Sequence, residues 1–321
     1  VFDRSDASAL ARTAVGGGTL VKNGAGDLTV TSGNNEVDII VNEGTLLARG
    51  GGWATSFAGG RTITVNENGT LDSVTHSMGG NGGAVKPNVH LNGGTWQLNN
   101  EQYMDNLTMN GGLTTGPGEV RTTGGGSYTI NPTAGGSEMA ASISMVSGKN
   151  FAVADGAAAA DLLVSGPITG GGALTKTGAG RLVSTGANDA SSTFFIAEGR
   201  LALTGDNSAR TGGYEVTGGI LEIDSVGDSA IGTSFIALKN GTLEYNGSGA
   251  ETTTRALWID AGGQTGTFDV TNAAANLTMA PGNGNVNQEL VKNGAGTLTM
   301  QGVVSGGGAV TVNLGTINNT G

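Results

Sequence analysis

Apolar and polar residues alternate in short segments along this chain, and glycine-rich turns separate the segments. In Gly-Thr-Leu-Leu-Ala (44–48), Leu46 and Ala48 share one face of an extended strand, as do Leu28 and Val30. Alternation with a period of two is typical of β-strands that bury one face. The alanine run 157–160 is too short to indicate a helix, and no convincing 3.6-residue pattern occurs elsewhere. The pattern therefore predicts an all-β protein.

A repeat of the form Leu-x-Lys-x-Gly-Ala-Gly-x-Leu occurs three times. Its copies are Leu20, Lys22, Gly24, Gly26 and Leu28; Leu174, Lys176, Gly178, Gly180 and Leu182; and Leu290, Lys292, Gly294, Gly296 and Leu298. Glycine accepts positive φ angles, so Gly-Ala-Gly predicts a sharp corner between two strands. We expect the lysine of each copy to be exposed, in a ladder of charges that discourages edge-to-edge strand pairing.

A shorter motif, an apolar residue followed by glycine and a second apolar residue, recurs at a regular spacing. Its glycines at 44, 69 and 94 are 25 residues apart, and those at 199, 219 and 241 are 20 and 22 apart. Such a unit, with strands and no helix pattern, has the size of one β-solenoid coil. An antiparallel sandwich or barrel would instead place its Asn-Gly turns at a hairpin period.

The spacing predicts a right-handed, single-stranded parallel β-helix with about 20–25 residues per coil. We expect it to run continuously over residues 16–321, with repeats at 16–50, 170–207 and 289–321. Loop insertions are expected near 50–60 and 100–150, where the motifs are weakest. Residues 1–15 are expected to cap the β-helix, to donate a strand to a neighbour or to be disordered.

Composition supports this architecture and excludes several classes of partner. Glycine contributes 61 residues, aromatic residues only 4 % and hydrophobic residues 37 %, which together favour a thin aliphatic core over disorder. The net charge of −11 opposes binding to nucleic acid or to an anionic membrane. The absence of cysteine excludes disulfides and thiolate metal sites. No apolar run approaches the roughly 20 residues of a membrane helix.

The three long repeats, with the spacer 153–172, resemble a known structural repeat. GGGTLVKNGAGDLTV, GGGALTKTGAGRLVS and LVKNGAGTLTM are similar to the autotransporter-associated β-strand repeat, also called the passenger-associated transport repeat. The resemblance implies a right-handed β-helical passenger of a type V autotransporter, or a large surface protein built of the same repeats. It also implies an extracellular location and roles in adhesion, aggregation or biofilm. It implies no enzymatic activity, metal or cofactor.

Several carboxylates are candidates for chemistry, although we expect them to face water. Glu222 and Asp224 alternate with Leu221 and Ile223, and Asp228 follows closely. Calcium binding or paired-carboxylate glycosidase chemistry are the alternatives, and the latter needs two carboxyl groups in a cleft. The two histidines, His76 and His90, belong to no zinc or triad motif, and His76 is expected in an exposed loop.

Aromatic side chains are the remaining candidates for binding. Trp53 and Phe57 lie in a glycine-flanked insertion, where they either contact a ligand or fold back over a coil. Trp96 and Trp258 occupy strand positions, so we expect them to pack inside.

Three functions are consistent with the sequence. The first is a non-enzymatic extracellular surface protein that contacts a host or sibling cell through a glycan or a protein. The second is a self-assembling fibre or surface-layer subunit that stacks end to end, because the end of a β-helix leaves strand edges unpaired. The third is a polysaccharide-active enzyme on the same scaffold.

Overall fold

The chain divides into two compact units, Val1–Thr169 (unit 1) and Gly170–Gly321 (unit 2). The computed structural model describes residues 1–11, 16–31, 37–49, 60–74, 76, 86–122, 124–259, 262–281, 283–302 and 308–320. Both units are parallel β-solenoids, and the chain makes about 13 turns of about 22 residues each. The predicted all-β, parallel coil architecture is therefore confirmed.

Unit 1 consists of short strands joined by tight corners. Its strands are β1 (Phe2–Asp3), β2 (Ser8–Leu10), β3 (Thr19–Asn23), β4 (Leu28–Val30), β5 (Asp38–Ala48), β6 (Thr62–Ser73), β7 (Asn88–Asn92), β8 (Thr95–Leu98), β9 (Gln102–Met104), β10 (Leu107–Met109), β11 (Leu113–Thr115), β12 (Glu119–Thr122), β13 (Ser127–Ile130), β14 (Ser137–Met139), β15 (Ser142–Ser144), β16 (Lys149–Val153), β17 (Leu162–Val164) and β18 (Ile168–Thr169). Strands β9, β12, β15 and β18 form a separate four-stranded sheet.

The core of unit 1 is a set of aliphatic and aromatic rows, because equivalent positions of successive coils are paired in register. One row is Leu20, Ile39, Ile63, Val89, Leu107, Tyr128 and Phe151. All of these side chains are buried. Each coil thus covers the inward side chains of its neighbours, which is how a chain with few large residues removes apolar surface from water.

Residues 1–11 take part in this stacking. Strand β1 pairs with β3, with Phe2 opposite Lys22, and β2 pairs with β4, with Leu10 opposite Val30. Both pairings are parallel. Residues 1–11 therefore supply strands to the chain's own solenoid.

Residues 100–150 do not form the expected loop insertion. Seven strands, β9 to β15, lie within this range, and β16 begins at its end. The prediction is wrong because polar side chains occupy inward positions there and dilute the hydrophobic pattern. Gln102, Thr114 and Thr122 are fully buried. The other expected insertion, near 50–60, lies almost entirely outside the described residues.

Unit 2 has the same construction and contains one helical turn. Its elements are β19 (Leu174–Thr177), β20 (Arg181–Ser184), β21 (Phe194–Ile196), β22 (Arg200–Leu203), β23 (Tyr214–Val216), β24 (Ile220–Ile223), α1 (Asp228–Ile231), β25 (Ile236–Leu238), β26 (Thr242–Tyr245), β27 (Ala250–Thr253), β28 (Leu257–Ile259), β29 (Thr265–Val270), β30 (Asn276–Met279), β31 (Gly284–Val286), β32 (Glu289–Asn293), β33 (Thr297–Met300), β34 (Val310–Val312) and β35 (Thr316–Asn319). Strands β27, β30, β33 and β35 form a second four-stranded sheet.

Two rows define the core of unit 2. Leu174, Phe194, Tyr214, Ile236 and Leu257 stack in one row. Leu182, Leu201, Leu221, Leu243 and Phe268 stack in the other. Every member of both rows is at most 1 % exposed. On these strands the alternate side chains point to the outer face.

Candidate functional site

The three lysines of the long repeat are buried at the corners of their coils. Lys22 is 2 % exposed, and Lys176 and Lys292 are fully buried. The expectation of an exposed lysine ladder is therefore wrong. Each lysine lies two positions after an inward leucine of the same strand, so its side chain faces the same side, into the corner instead of into water.

Each lysine ammonium group is held by backbone carbonyls of two coils. Lys176 Nζ donates to the carbonyls of Thr177 (2.9 Å) and Gly178 (2.6 Å), and to that of Glu198 (3.2 Å) in the next coil. Carbonyl oxygens supply the partners that a buried ammonium needs, because unpaired burial of a charge is costly. The cation therefore clamps one corner to the next.

The same arrangement recurs in the other two copies. Lys22 Nζ donates to the carbonyls of Asn23 (3.1 Å), Gly24 (2.6 Å) and Glu43 (2.8 Å). Lys292 Nζ donates to the carbonyls of Asn293, Gly294 (2.8 Å) and Leu314 (3.3 Å). Burial lowers the pKa of Lys22 and of Lys292, while nearby carboxylates oppose the shift.

The long and the short sequence motifs stack on each other at the corners of successive coils. Gly24, Gly178 and Gly294 have φ angles of +73°, +76° and +76°, which confirms the predicted corners. The glycines of the short motif that stack on them, Gly44, Gly199 and Gly315, also have positive φ. A Cβ atom on Gly44 would lie 2.7 Å from the carbonyl oxygens of Gly24 and Gly26. Each of these three glycines therefore lets its coil approach the Gly-Ala-Gly corner beneath it.

An asparagine ladder runs along the outer side of these corners in unit 1. Each asparagine after the first donates its side-chain N–H to the amide oxygen of the asparagine in the preceding coil, at distances of 2.5–3.0 Å. The members are Asn23, Asn42, Asn66, Asn92, Asn110 and Asn131. The ladder was missed from the sequence, although Asn23 and Asn293 directly follow the repeat lysine.

The candidate carboxylates are engaged by arginines. Glu222 accepts two hydrogen bonds from Arg181, at 2.6 and 3.0 Å, and its side chain is 14 % exposed. Arg200 bridges Glu222 (3.7 Å) and Glu244 (2.8 Å). Glu222 thus lies on the outer face, as its alternation predicted, yet it is paired instead of solvated. Asp224 is exposed. The described residues contain no cluster of three or more side chains suited to hold a metal ion.

His76 is exposed, as expected for a loop residue, and its Nε2 lies 3.4 Å from Glu101. Glu101 also pairs with Arg121 (3.1 Å), which donates to the hydroxyl of Tyr103 (2.9 Å). Burial raises the pKa of Tyr103. His90 lies elsewhere, on the outer face of β7. The two histidines therefore do not meet in one site.

The three tryptophans have different outcomes. Trp96 is fully buried and donates to Ser73 Oγ at 2.7 Å, so the packing prediction is confirmed. Trp258 is half-buried on the outer face of β28, because its neighbours Leu257 and Ile259 point inward. The packing prediction for Trp258 is wrong. Trp53, with Phe57, lies outside the described residues, and their role as ligand contacts stays a prediction.

Trp258 lines a cleft of about 1020 Å³, which we call the unit 2 cleft. Its walls are α1 with the loop that follows, the end of β27 and the start of β31. Phe235 also lines it, and a Cβ atom on Gly213 would lie 2.5 Å from the Phe235 ring. Only glycine at 213 therefore allows this ring to lie against the backbone.

Arg255 fixes the wall of the cleft. Its guanidinium donates to the carbonyls of Val226 and Gly232, to Thr253 Oγ1 (2.9 Å) and to Asp228 Oδ1 (2.5 Å). Arg255 is 8 % exposed, and burial lowers its pKa although Asp228 opposes the shift. The outward position of Trp258 could have been predicted from the sequence, because Leu257 and Ile259 on either side of it are apolar and alternate with it.

Comparison with known proteins identifies the repeat. The passenger-associated-transport-repeat model matches residues 174–203, 198–223 and 290–318. The first and last of these segments contain the Lys176 and Lys292 corners. No curated protein and no solved structure matches the chain. Within the described part of the chain, none of the helices has the length and apolar character needed to cross a membrane.

Proposed function

We propose that this chain, a β-solenoid with passenger-associated transport repeats at three positions, is a non-enzymatic surface passenger that acts in adhesion, aggregation or biofilm formation. The repeat and the fold fit an autotransporter passenger. The repeat family also implies a secreted or surface-exposed protein. The presentation of outward residues on a stacked scaffold is then the mechanism by which the protein meets another cell.

The observation that supports this proposal most is what the repeat residues do. The repeat lysines donate hydrogen bonds to backbone carbonyls of adjacent coils; they are Lys22, Lys176 and Lys292. The hydrogen bonds of the repeat lysines are therefore directed inward, to the contacts between coils. The contacts with partners then fall to outward side chains that do not link neighbouring coils.

The enzymatic alternative is less well supported by the carboxylates. A glycosidase needs one carboxyl group as acid and a second as base or nucleophile. Glu222 is held by Arg181 and Arg200, and Glu244 by Arg200. These ion pairs occupy the carboxylate oxygens that would have to contact a substrate. These residues are better suited to tie neighbouring coils together.

Surface display of the full chain tests the proposal. Bacteria that display the chain are expected to aggregate or to attach to cultured cells and glass more than bacteria with an empty display vector. Soluble chain is expected to compete with the attachment. A display variant with Gly199→Ala, which disrupts a corner, tests whether the folded solenoid is needed. Attachment no better than that of the empty vector would refute the adhesive role.

Two further measurements separate the rival functions. Filaments of purified protein in negative-stain electron micrographs would support end-to-end assembly instead. Release of reducing sugar from polysaccharides, abolished by Glu222→Gln, would support the enzyme. The proposal expects neither filaments nor sugar release.

A further inference from the structure

The unit 2 cleft combines two aromatic rings with a polar wall. Trp258 and Phe235 are both half-buried and both line it. Its volume of about 1020 Å³ is at the upper end of the roughly 300–1,000 Å³ typical of small-molecule sites. A ligand of several linked rings is therefore better matched to the cleft than a single small molecule.

The position of Trp258 is fixed by the solenoid. It belongs to an outward row in which Phe195, Glu215, Ala237, Trp258 and Asn285 occupy successive coils in register. Ala237, directly beside it, is buried and has no long side chain. The indole of Trp258 has an apolar ring and a polar N–H, and it is held on a paired strand. It therefore suits a ligand that is itself amphipathic.

The charges of the cleft are already neutralised. The Asp228 carboxylate and the Arg255 guanidinium are its only formal charges among the described lining residues, and they are paired at 2.5 Å. Arg255 is further occupied by two carbonyls and by Thr253. No free cation therefore remains to bind a phosphate, a sulfate or a uronic acid. The net charge of −11 also disfavours an anionic ligand.

The remaining polar groups of the wall suit hydroxyl groups. The side chains of Thr252, Thr254 and Asn283 line the cleft and are neutral donors or acceptors. Asp228 remains 72 % exposed despite its ion pair, so its carboxylate can accept hydrogen bonds from a ligand. Apolar ring faces beside many neutral hydrogen-bonding groups match the two faces of a pyranose ring.

We infer that the unit 2 cleft binds a neutral oligosaccharide, with a sugar ring stacked on Trp258 and its hydroxyls on Asn283 and Asp228. The inference rests on the proposed surface role, for which it supplies a ligand class and a site. Arg255 is a positioning residue, because it is only 8 % exposed and fixes the wall from behind through Asp228 and Thr253.

Calorimetric titration of the full chain tests this inference. The probes are cellohexaose, laminarihexaose, maltohexaose and mannohexaose, with hexagalacturonate as the acidic comparison. At least one neutral hexaose is expected to bind, and more tightly than hexagalacturonate. Trp258→Ala is expected to weaken that binding about tenfold, the worth of one aromatic stacking contact. Trp258→Phe is expected to retain part of the affinity.

Phe195→Ala is the matched control, because Phe195 is an aromatic residue in the same outward row and outside the cleft. Its affinity for the hexaose is expected to equal that of the wild type. Asn283→Ala, which removes one hydrogen-bonding side chain from an exposed position, is expected to weaken binding several-fold. Thermal unfolding of each variant shows that it is folded.

Three outcomes would overturn the inference. They are the absence of binding by every neutral hexaose at millimolar concentration, equal binding by Trp258→Ala, and tighter binding of hexagalacturonate. Failure here is distinguishable from failure of the proposed function. If displayed Trp258→Ala still promotes attachment to cells, the surface role stands and the cleft is not its binding site.

Discussion

The ammonium group of Lys176 donates a hydrogen bond to the backbone carbonyl of Glu198, 3.2 Å away in the next coil. The two residues are 22 positions apart in sequence. The same lysine also binds the carbonyl of Gly178, so one cation holds the backbone of two coils. This contact links the repeat motif directly to the stacking that the fold depends on.

Replacement of Lys176 by methionine is expected to destabilise unit 2 locally by about 1–3 kcal/mol, because three carbonyls lose a charged donor. Hydrogen exchange measured by mass spectrometry is expected to accelerate at the amide of Ala197, which donates to the Lys176 carbonyl. Lys239→Met is the control, since Lys239 forms a surface ion pair with Glu215 at 2.9 Å. Such pairs contribute about 1 kcal/mol or less. Equal exchange rates at Ala197 in Lys176→Met and Lys239→Met would contradict the role of Lys176 in holding two coils together.

The corner glycines are expected to tolerate no side chain. Gly199 has a φ of +63°, and a Cβ atom there would lie 2.5 Å from the carbonyl oxygen of Gly180. Gly199→Ala is therefore expected to cost more than about 2 kcal/mol in chemical denaturation, through strain and displacement of the corner. At Gly171 the nearest atom is Ser191 Oγ at 3.6 Å, an ordinary contact. A Gly171→Ala variant as unstable as Gly199→Ala would count against this explanation.

The asparagine ladder is expected to depend most on its interior members. Asn66 donates to Asn42 (2.6 Å) and accepts from Asn92 (3.0 Å), so Asn66→Ala removes two hydrogen bonds. The expected cost is about 1 kcal/mol in local unfolding free energy, because the ladder is partly exposed to water. Asn131 makes one ladder bond from an exposed position, and Asn131→Ala is expected to cost less than about 0.5 kcal/mol. Hydrogen exchange of unit 1 peptides measures both free-energy costs. A larger cost for Asn131→Ala than for Asn66→Ala would contradict a stabilising role of the ladder.

Stability is expected to fall at alkaline pH. Burial raises the pKa of Tyr214 from 10.0 to about 12, so the folded protein keeps a proton that the unfolded chain loses above pH 10. The stabilisation that the protonated Tyr214 contributes is complete below pH 10. It is lost as pH rises toward 12, at up to about 1.4 kcal/mol per pH unit. Burial also raises the pKa of Tyr128.

Urea denaturation at a series of pH values measures this loss. Tyr214→Phe is expected to reduce the slope of stability against pH above 10, and the double variant with Tyr128→Phe to reduce it further. The slopes below pH 9 are expected to remain equal to that of the wild type. Parallel curves for all three proteins would show that these tyrosines are not protected in the folded state.

The sequence by itself determined the strand content, the corners and the coil length. These features depend on local chemistry: alternating side chains choose extended backbone, and Gly24, Gly178 and Gly294 supply the positive φ that a sharp corner requires. The spacing of the short-motif glycines then set the size of each coil, because equivalent corners must stack above one another.

Only the tertiary structure decided where the outward and corner side chains lie. Lys176 is buried because the next coil covers it, and Trp258 lines a cleft because residues 226–228 and 233–235, 23–32 positions earlier in the chain, also line it. Asn66 finds its partners one coil before and one coil after it. These contacts join residues far apart in sequence, so their burial and charge state are properties of the stack and not of any single repeat.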